Sequence, residues 1–157
     1  MDEKTALLRH TLATLAYRGG KALRGVPAEF AEFRLGEPPR TPGEILAHIG
    51  DLMDWALSMA EGKETWHNSP ALAWEQGGAR FFAALEAFDR RLAAGLPAAC
   101  PAEGLFQGPI ADALTHVGQI AMLRRLAGCP ISGENYFVAD IAAGRVGARQ
   151  AAAAAEF

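Results

Sequence analysis

Two polar side chains in the stretch ADALTHVGQIAMLRRLAG, residues 111–128, have the types and the spacing to bind a metal ion. Asp112 and His116 are four residues apart, so on a helix their side chains are neighbours on one face. Gln119 shares this face, about 20° from Asp112, because successive helical residues advance by about 100°. We expect Gln119 to hydrogen-bond His116 or a carboxylate, or to face water.

A metal site on this face needs a third ligand from another helix. His48 is the best donor, because it is the only other histidine inside a strongly periodic apolar stripe. The remaining histidines, His10 and His67, fall in a helix flank and a loop, where we expect them to be solvated. Two imidazoles and one carboxylate with open positions form an arrangement used by metals that perform chemistry. The predicted site is therefore His48, Asp112 and His116, which suits zinc, nickel, iron or manganese.

Each of these residues also has an ordinary structural explanation. A single histidine such as His48 in an apolar stripe is commonly a hydrogen-bonded core residue. Asp112 alone suits the first turn of a helix, where a carboxylate favours the helix dipole. Leu123 and Leu126 continue the face of Asp112 toward the C-terminus, so we expect the polar cluster to occupy one end of a buried seam.

The composition sets the class of protein that has to position these residues. The chain has 157 residues, of which 50% are hydrophobic and 21% charged, as expected for one globular domain with a single core. The formal net charge is −3 and no dense Lys/Arg run is present, which disfavours nucleic-acid binding. The first residues are charged, and no apolar run approaches the roughly 20 residues of a membrane span. We therefore expect a soluble, cytoplasmic protein in which Cys100 and Cys129 are reduced thiols without a chemical role.

Apolar residues recur at helical spacing in four blocks, and no strand-like alternation competes with them. The blocks cover about residues 3–23, 42–60, 70 or 78 to 94, and 109–128. The pattern predicts an all-α four-helix bundle. Their core stripes are Leu8, Leu12 and Leu15; Ile45, His48, Leu52, Trp55 and Met59; and Phe81, Leu85, Phe88 and Leu92.

Local signals place several helix ends. Thr41, Pro42 and Glu44 form a capping-box start for the second helix. Ser69 and Pro70 offer a similar start for the third helix, and Ser132 for a short helix after the bundle. In the connection from 26 to 40 we expect Phe30 and Phe33 to fold against the bundle.

Charged side chains outside the candidate site are expected to be solvated. They are Asp51 and Asp54 of the second helix, and Arg124 and Arg125 in the last turns of the fourth helix. For Asp51, one turn from His48, support of that imidazole is the open alternative. Residues 148–157 form a low-complexity tail that we expect to be mobile.

Four segments together resemble the DinB-like (DinB/YfiT) family of metalloenzymes. They are TPGEILAHIGDLMDWAL, FFAALEAFDRRLAAG, DALTHVGQIAMLRRLAG and GENYFVADIAAGRVG, and the likeness covers about residues 5–147. The resemblance implies a single domain over 1–147, an up-down-down-up helix order and a divalent metal held between helices. His48 matches the family's histidine on the second helix, and His116 in HVGQ matches the last histidine. Asp112 stands where the commonest members have a third histidine, which leaves open the identity or the loss of the metal.

The resemblance also implies a chemistry. Relatives include thiol-dependent transferases and isomerases, in which the metal lowers the pKa of a low-molecular-weight thiol that attacks an electrophile. The hypothesis for this chain is an S-transferase or isomerase acting on a small electrophile. Two alternatives stay open: a non-catalytic, stress-response bundle that binds a metal or a small ligand, and a metal-dependent hydrolase.

We also expect a homodimer. Helices that bury one seam each would leave some large aromatic side chains for an interface. These side chains are Trp55, Trp66, Trp74, Phe81 and Phe82.

Overall fold

A computed structural model describes residues 1–36 and 40–157. The part of the predicted connection at 37–39 lies outside the described residues. The helices are α1 (Glu3–Leu23), α2 (Pro42–Ala60), α3 (Trp74–Ala93), the one-turn α4 (Ala102–Leu105) and α5 (Ala111–Leu126). A π-helical segment, Phe106–Ile110, joins α4 to α5, and two short 3-10 segments occupy Ala28–Glu32 and Tyr136–Val138. The described chain contains no β-strand, which confirms the all-α prediction.

The bounds of α1 and α2 follow from their end signals. Asp2 caps α1 by accepting a hydrogen bond from the Thr5 backbone N–H. Thr41 and Glu44 form the predicted capping box, with Pro42 as the first residue of α2. Because the backbone hydrogen-bonding groups at the ends of α2 find partners nearby in the sequence, this helix begins and ends where its sequence predicts.

The start of α3 differs from both predicted positions. The Ser69 backbone N–H donates to Asp51 at 2.8 Å, so this predicted cap belongs to a loop contact with α2. The helix begins at Trp74, after an Ala73 cap that makes no side-chain hydrogen bond. The buried Trp74 ring packs edge-on against Phe30 with centroids 5.1 Å apart, and its indole N–H donates to the Leu23 carbonyl. Tertiary packing therefore sets this helix start.

The four long helices enclose one core. α2 packs mainly on α3 and α5, and α1 packs on the same two helices, so the order around the bundle is α1, α3, α2, α5. The predicted stripes of α1 and α3 are buried, as is Phe30 of the connection, while Phe33 packs against the core from a partly buried position. On α2 the predicted stripe is only partly buried. The centre of the buried face is formed by Ile49 and Met53, whereas Trp55 and Met59 lie at the border of that face. Within the described residues, no helix is long and apolar enough to cross a membrane.

The buried face of α5 is not the predicted seam. It consists of Ala113, Val117, Ile120 and Arg124, each one residue after a member of the predicted face. Leu126 is half exposed, so the seam containing Asp112 and His116 lies about 100° to the side of the core. The polar cluster thus borders the core instead of interrupting it.

The prediction that Arg124 is solvated is wrong. This side chain is 5% exposed, and its guanidinium donates to the carbonyls of Ala22, Arg24 and Cys129. Those carbonyls belong to the ends of α1 and α5, where a helix leaves acceptors without partners. Arg124 therefore joins two helix ends and has no free charge to offer a ligand.

The C-terminal segment is bound to the bundle, contrary to the prediction of a mobile tail. The Asn135 N–H donates to the Ala155 carbonyl, and Lys21 of α1 bonds both Glu134 and Glu156. Tyr17 donates its hydroxyl hydrogen to the buried Glu134. The short helix after the bundle is the 3-10 segment Tyr136–Val138, whose cap is Asn135 and not Ser132.

Candidate metal centre

The three predicted ligands meet where α2 packs against α5. Asp112 lies between the two imidazoles: its Oδ2 is 3.7 Å from His48 Nε2, and its Oδ1 is 3.4 Å from His116 Nε2. The two imidazole rings are nearly perpendicular, at 83°, with centroids 4.8 Å apart. One donor atom from each residue lies within 4.8 Å of the other two. The structure therefore brings together all three residues that the sequence selects.

These separations suit a shared ion. Two ligand atoms about 2.1 Å from one ion are about 3.0 to 3.4 Å apart for octahedral to tetrahedral angles. The contact of Asp112 Oδ1 with His116 is at this limit, and that of Asp112 Oδ2 with His48 exceeds it by a few tenths of an ångström. Because the two contacts use different oxygens and the three donor atoms lie within 4.8 Å of one another, sharing one ion requires a small closure of the side chains. Within the described chain, the side chains of His48 and Asp112 make no hydrogen bond that would explain their approach. The donor set of two nitrogens and one carboxylate fits zinc, nickel, iron or manganese.

Gln119 has one of the roles expected from the sequence. Its Oε1 lies 2.7 Å from His116 Nδ1, and because a carbonyl oxygen only accepts, Nδ1 carries the hydrogen. A neutral imidazole has one N–H, so Nε2 is left with its lone pair directed toward Asp112. Gln119 thus holds His116 in the tautomer that a metal requires.

His48 is also suited to bind in its neutral form. Burial lowers the pKa of His48 below its ordinary value of 6.5, and the positive charges of Arg40 and His116 lower it further, against the opposing effect of Asp112. Trp66, in the loop after α2, packs edge-on against the His48 ring with centroids 5.7 Å apart. Burial therefore favours the neutral, metal-binding form of His48.

The site is open to exchange with solvent. The side chains of His48 and His116 retain 18% and 12% of their exposure, whereas Asp112 retains 47%. Asp112 and His116 each lie one residue before the buried face of α5, and this position beside the core explains why the side chains differ in exposure. The three residues would fill three positions of a coordination shell and leave others accessible to a small molecule.

The segment before Asp112 is the irregular part of its helix. Phe106–Ile110 is π-helical and contains Pro109, which has no N–H to donate. π-Helical turns are frequent at functional sites because they change the register of the side chains that follow. The sequence predicts a helix start near Pro109, close to the observed Ala111, but it misses the helical turn at Ala102–Leu105.

A cavity of about 470 Å³ borders the candidate metal centre between α2 and α5. This volume is within the range of small-molecule sites. Its lining is Arg40, Ile45, His116, Gln119, Met122 and Leu123. The cavity and the site share His116, so a molecule in the cavity lies next to a proposed ligand of the metal.

Asp51, Asp54 and His67 form a second polar cluster that the sequence analysis misjudged. Asp51 is only 2% exposed, not solvated, and both carboxylates accept hydrogen bonds from Arg80 at 2.8 Å. His67 is not idle either, because its nitrogens lie 3.2 Å from Asp51 and from Asp54. Although burial raises the pKa of Asp51, the bonds from Ser69 and Arg80 outweigh it, and the pKa is lowered. The guanidinium already compensates these carboxylates, so we assign the cluster to loop attachment.

Arg40 is the functional candidate that sequence reasoning missed. It precedes the Thr41 cap, so it lies at the end of α2 that is two turns from His48. Its position just before the helix cap, two turns from His48, is the sequence feature that could have identified it. Arg124 and Arg125 point to neither the site nor the cavity: Arg124 is buried between helix ends, and Arg125 lines a different depression with Tyr136 and Phe157.

Comparison of the chain with protein families, with curated proteins and with solved structures gives no match. The likeness to the DinB-like family therefore stays a prediction from short motifs, as does the up-down-down-up order. The all-α bundle and the candidate metal site stand on the structure alone.

Proposed function

We propose that this protein is a divalent-metal-dependent enzyme that joins a small thiol to an electrophile or uses the thiol to isomerise it. The observation that carries the proposal is the approach of the Asp112 carboxylate to His48 at 3.7 Å and to His116 at 3.4 Å, without direct hydrogen bonds. A divalent ion bound there supplies Lewis-acid chemistry, which lowers the pKa of a coordinated thiol or water.

The chain's own residues would bind and orient. With neutral imidazoles, the three ligands carry one negative charge, which offsets half the charge of a divalent ion. Gln119 keeps Nε2 of His116 available, and Ile45 and Leu123 of the cavity exclude water from one side of the site. These contacts support a site that positions a small molecule next to the metal.

The two cysteines favour a thiol that is supplied from outside. Cys100 lines a separate depression with Met59 and Glu64, and Cys129 lies beyond the end of α5. Burial raises the pKa of the Cys100 thiol, which makes it a weaker nucleophile at neutral pH. Neither lines the cavity beside His116, so the nucleophile in the proposed reaction belongs to a substrate.

The test begins with metal content. Protein purified without a metal-binding tag is loaded in turn with zinc, nickel, iron and manganese, and bound metal is measured after dialysis. We expect one ion per chain in the wild type and none in His48→Ala or His116→Ala. His10→Ala is the matched control, because His10 is an exposed histidine of α1.

The second stage separates the functions. Loaded protein is assayed with glutathione or cysteine and a chromogenic electrophile such as chlorodinitrobenzene. Conjugation that requires the metal and is lost in His116→Ala supports the transferase. Turnover of ester substrates without thiol would replace it by hydrolysis. Stoichiometric metal without turnover would favour the binding bundle, and absence of metal from all loaded samples would refute the site.

A further inference from the structure

We propose that the cavity beside the metal centre binds a small amphipathic carboxylate, with its anionic group on Arg40 and its apolar part on Ile45, Met122 and Leu123. The inference rests on the proposed function, since it names the class of ligand for the same site. It concerns a residue that contributes no ligand to the metal.

The lining of the cavity carries one formal charge. Of its six residues, only Arg40 carries a permanent charge, while Gln119 and His116 are polar. No carboxylate from the described chain lies within 4.0 Å of the Arg40 guanidinium. Glu44, whose charge is near enough to be influenced by Arg40, is already bonded by the Thr41 N–H at 2.7 Å. The cavity therefore presents a cation without a close anion in the part of the chain that the structure describes.

The metal centre adds to the same preference. Two neutral imidazoles, one carboxylate and a divalent ion give a net charge of +1, and Arg40 makes it +2. Arg40 lines the same cavity as His116, one of the three proposed ligands, so its charge lies beside the site. A neutral or cationic ligand gains nothing from this field, whereas an anion is attracted by it.

The rest of the lining selects an apolar body. Ile45 is 4% exposed and forms the floor, Leu123 is partly buried, and Met122 is 53% exposed at the border. Methionine is flexible and polarisable, so it adapts to apolar ligands of different shape. Arg40 with its planar fork can bind a carboxylate through two parallel hydrogen bonds, which a single ammonium cannot. The combination defines a ligand with a carboxylate at one end and an alkyl or aryl group at the other.

Octanoate and its neutral counterpart octanamide are the probes, titrated calorimetrically into metal-free and zinc-loaded protein. We expect octanoate to bind about fivefold more tightly than octanamide in both forms, with the larger ratio in the loaded form. In Arg40→Gln this ratio should fall to about one, and Arg40→Lys should retain part of it. Met122→Ala is the matched control: it should weaken both probes about equally and leave the ratio unchanged.

The outcomes separate this inference from the proposed function. A preference for octanoate that survives Arg40→Gln but vanishes when zinc is removed would place the carboxylate on the metal and overturn the role of Arg40. Equal binding of both probes to the wild type would overturn the ligand class, even if zinc binds stoichiometrically. If none of zinc, nickel, iron and manganese binds, the proposed function fails, but the ratio in the metal-free protein still decides the role of Arg40.

Discussion

Replacing Gln119 by Ala should weaken metal binding although Gln119 touches no metal. The Oε1 of Gln119 accepts the Nδ1 hydrogen of His116 at 2.7 Å and thereby leaves Nε2 unprotonated. Without this acceptor, the imidazole can move its hydrogen to Nε2 and rotate about its side-chain bonds. Loss of such an outer partner typically reduces metal affinity by about 10- to 100-fold.

The expected size of this effect follows from the exposure of the pair. Gln119 is exposed and water can replace part of its hydrogen bond, so we expect the lower end of the range, about tenfold or about 1.4 kcal/mol. Gln119→Glu should keep or increase the affinity, because a carboxylate accepts the same hydrogen bond more strongly. Helix content should be unaffected, since Ala has a high helix propensity and the position is solvent-facing.

Competition with a chromophoric zinc chelator at constant pH measures the difference. Gln76→Ala is the control, because Gln76 is an exposed glutamine in the first turn of α3 and makes no contact with the site. Equal zinc affinities for the wild type, Gln119→Ala and Gln76→Ala would refute the assigned tautomer. A loss in Gln119→Ala that Gln119→Glu also shows would refute the hydrogen-bond explanation.

Three further predictions concern the pH dependence of zinc affinity, the ion pair of Arg80 with Asp51, and the oligomeric state. Zinc affinity should decline only below about pH 6.5, because burial lowers the pKa of His48 and protons therefore compete with the metal only in acid. A decline that starts well above this pH in chelator titrations would contradict this prediction. A Cβ on Gly50 would lie 2.1 Å from Arg80 Nη1, so Gly50→Ala should displace Arg80 from the buried Asp51 and cost about 2 kcal/mol in urea unfolding; unchanged stability would contradict the buried ion pair. Light scattering at micromolar concentration should give twice the 16.7 kDa chain mass, and a monomer throughout would exclude the dimer.

Only part of the aromatic set behind the dimer prediction is available for an interface. Trp74 and Phe81 are buried inside the chain and Phe82 packs against the core, whereas Trp66 is 43% exposed. Exposed apolar side chains also occur at Leu7 and Phe106, which line one cavity between α1 and the segment before α5. Leu7→Glu is therefore the variant to combine with the light-scattering measurement.

The sequence predicts the first two helices well because their signals are local. Thr41, Pro42 and Glu44 satisfy the start of α2 among themselves, and Gly62 adopts a φ of +74° just beyond its end. The start of α3 is not predictable in this way. Ser69 has the chemistry of a cap, but its hydroxyl lies 3.3 Å from His67 Nδ1 and its N–H donates to Asp51, which is 18 residues away in sequence. A rule based on neighbouring residues cannot show that Ser69 will contact a distant side chain instead of starting a helix.

Charged residues were misjudged for the same reason. A period of 3.6 residues shows which side chains share a helix face, but it does not show which faces meet. Asp51 becomes buried only because Arg80 of α3 is opposite it, 29 residues further along the chain. Arg124 is buried because the end of α1 offers three carbonyls. Each pairing depends on helix order around the bundle, which the apolar pattern alone does not determine.

The candidate site was easier to predict than its surroundings, and the geometry explains why. The relation of Asp112 to His116 is set by one turn of helix, so it does not depend on the fold. His48 was found because few histidines were available, and a misplaced seam did not affect that choice. The predicted seam of α5 is wrong by one residue, which is about 100° around the helix. This difference determines how exposed the candidate site is. At the border of the core, both imidazoles are largely shielded from solvent, while Asp112 remains accessible to water and small molecules. A fully buried seam would have left a carboxylate that costs several kcal/mol and cannot exchange ligands. In the proposed function, the border position would let these three residues hold an ion and leave it open to a substrate.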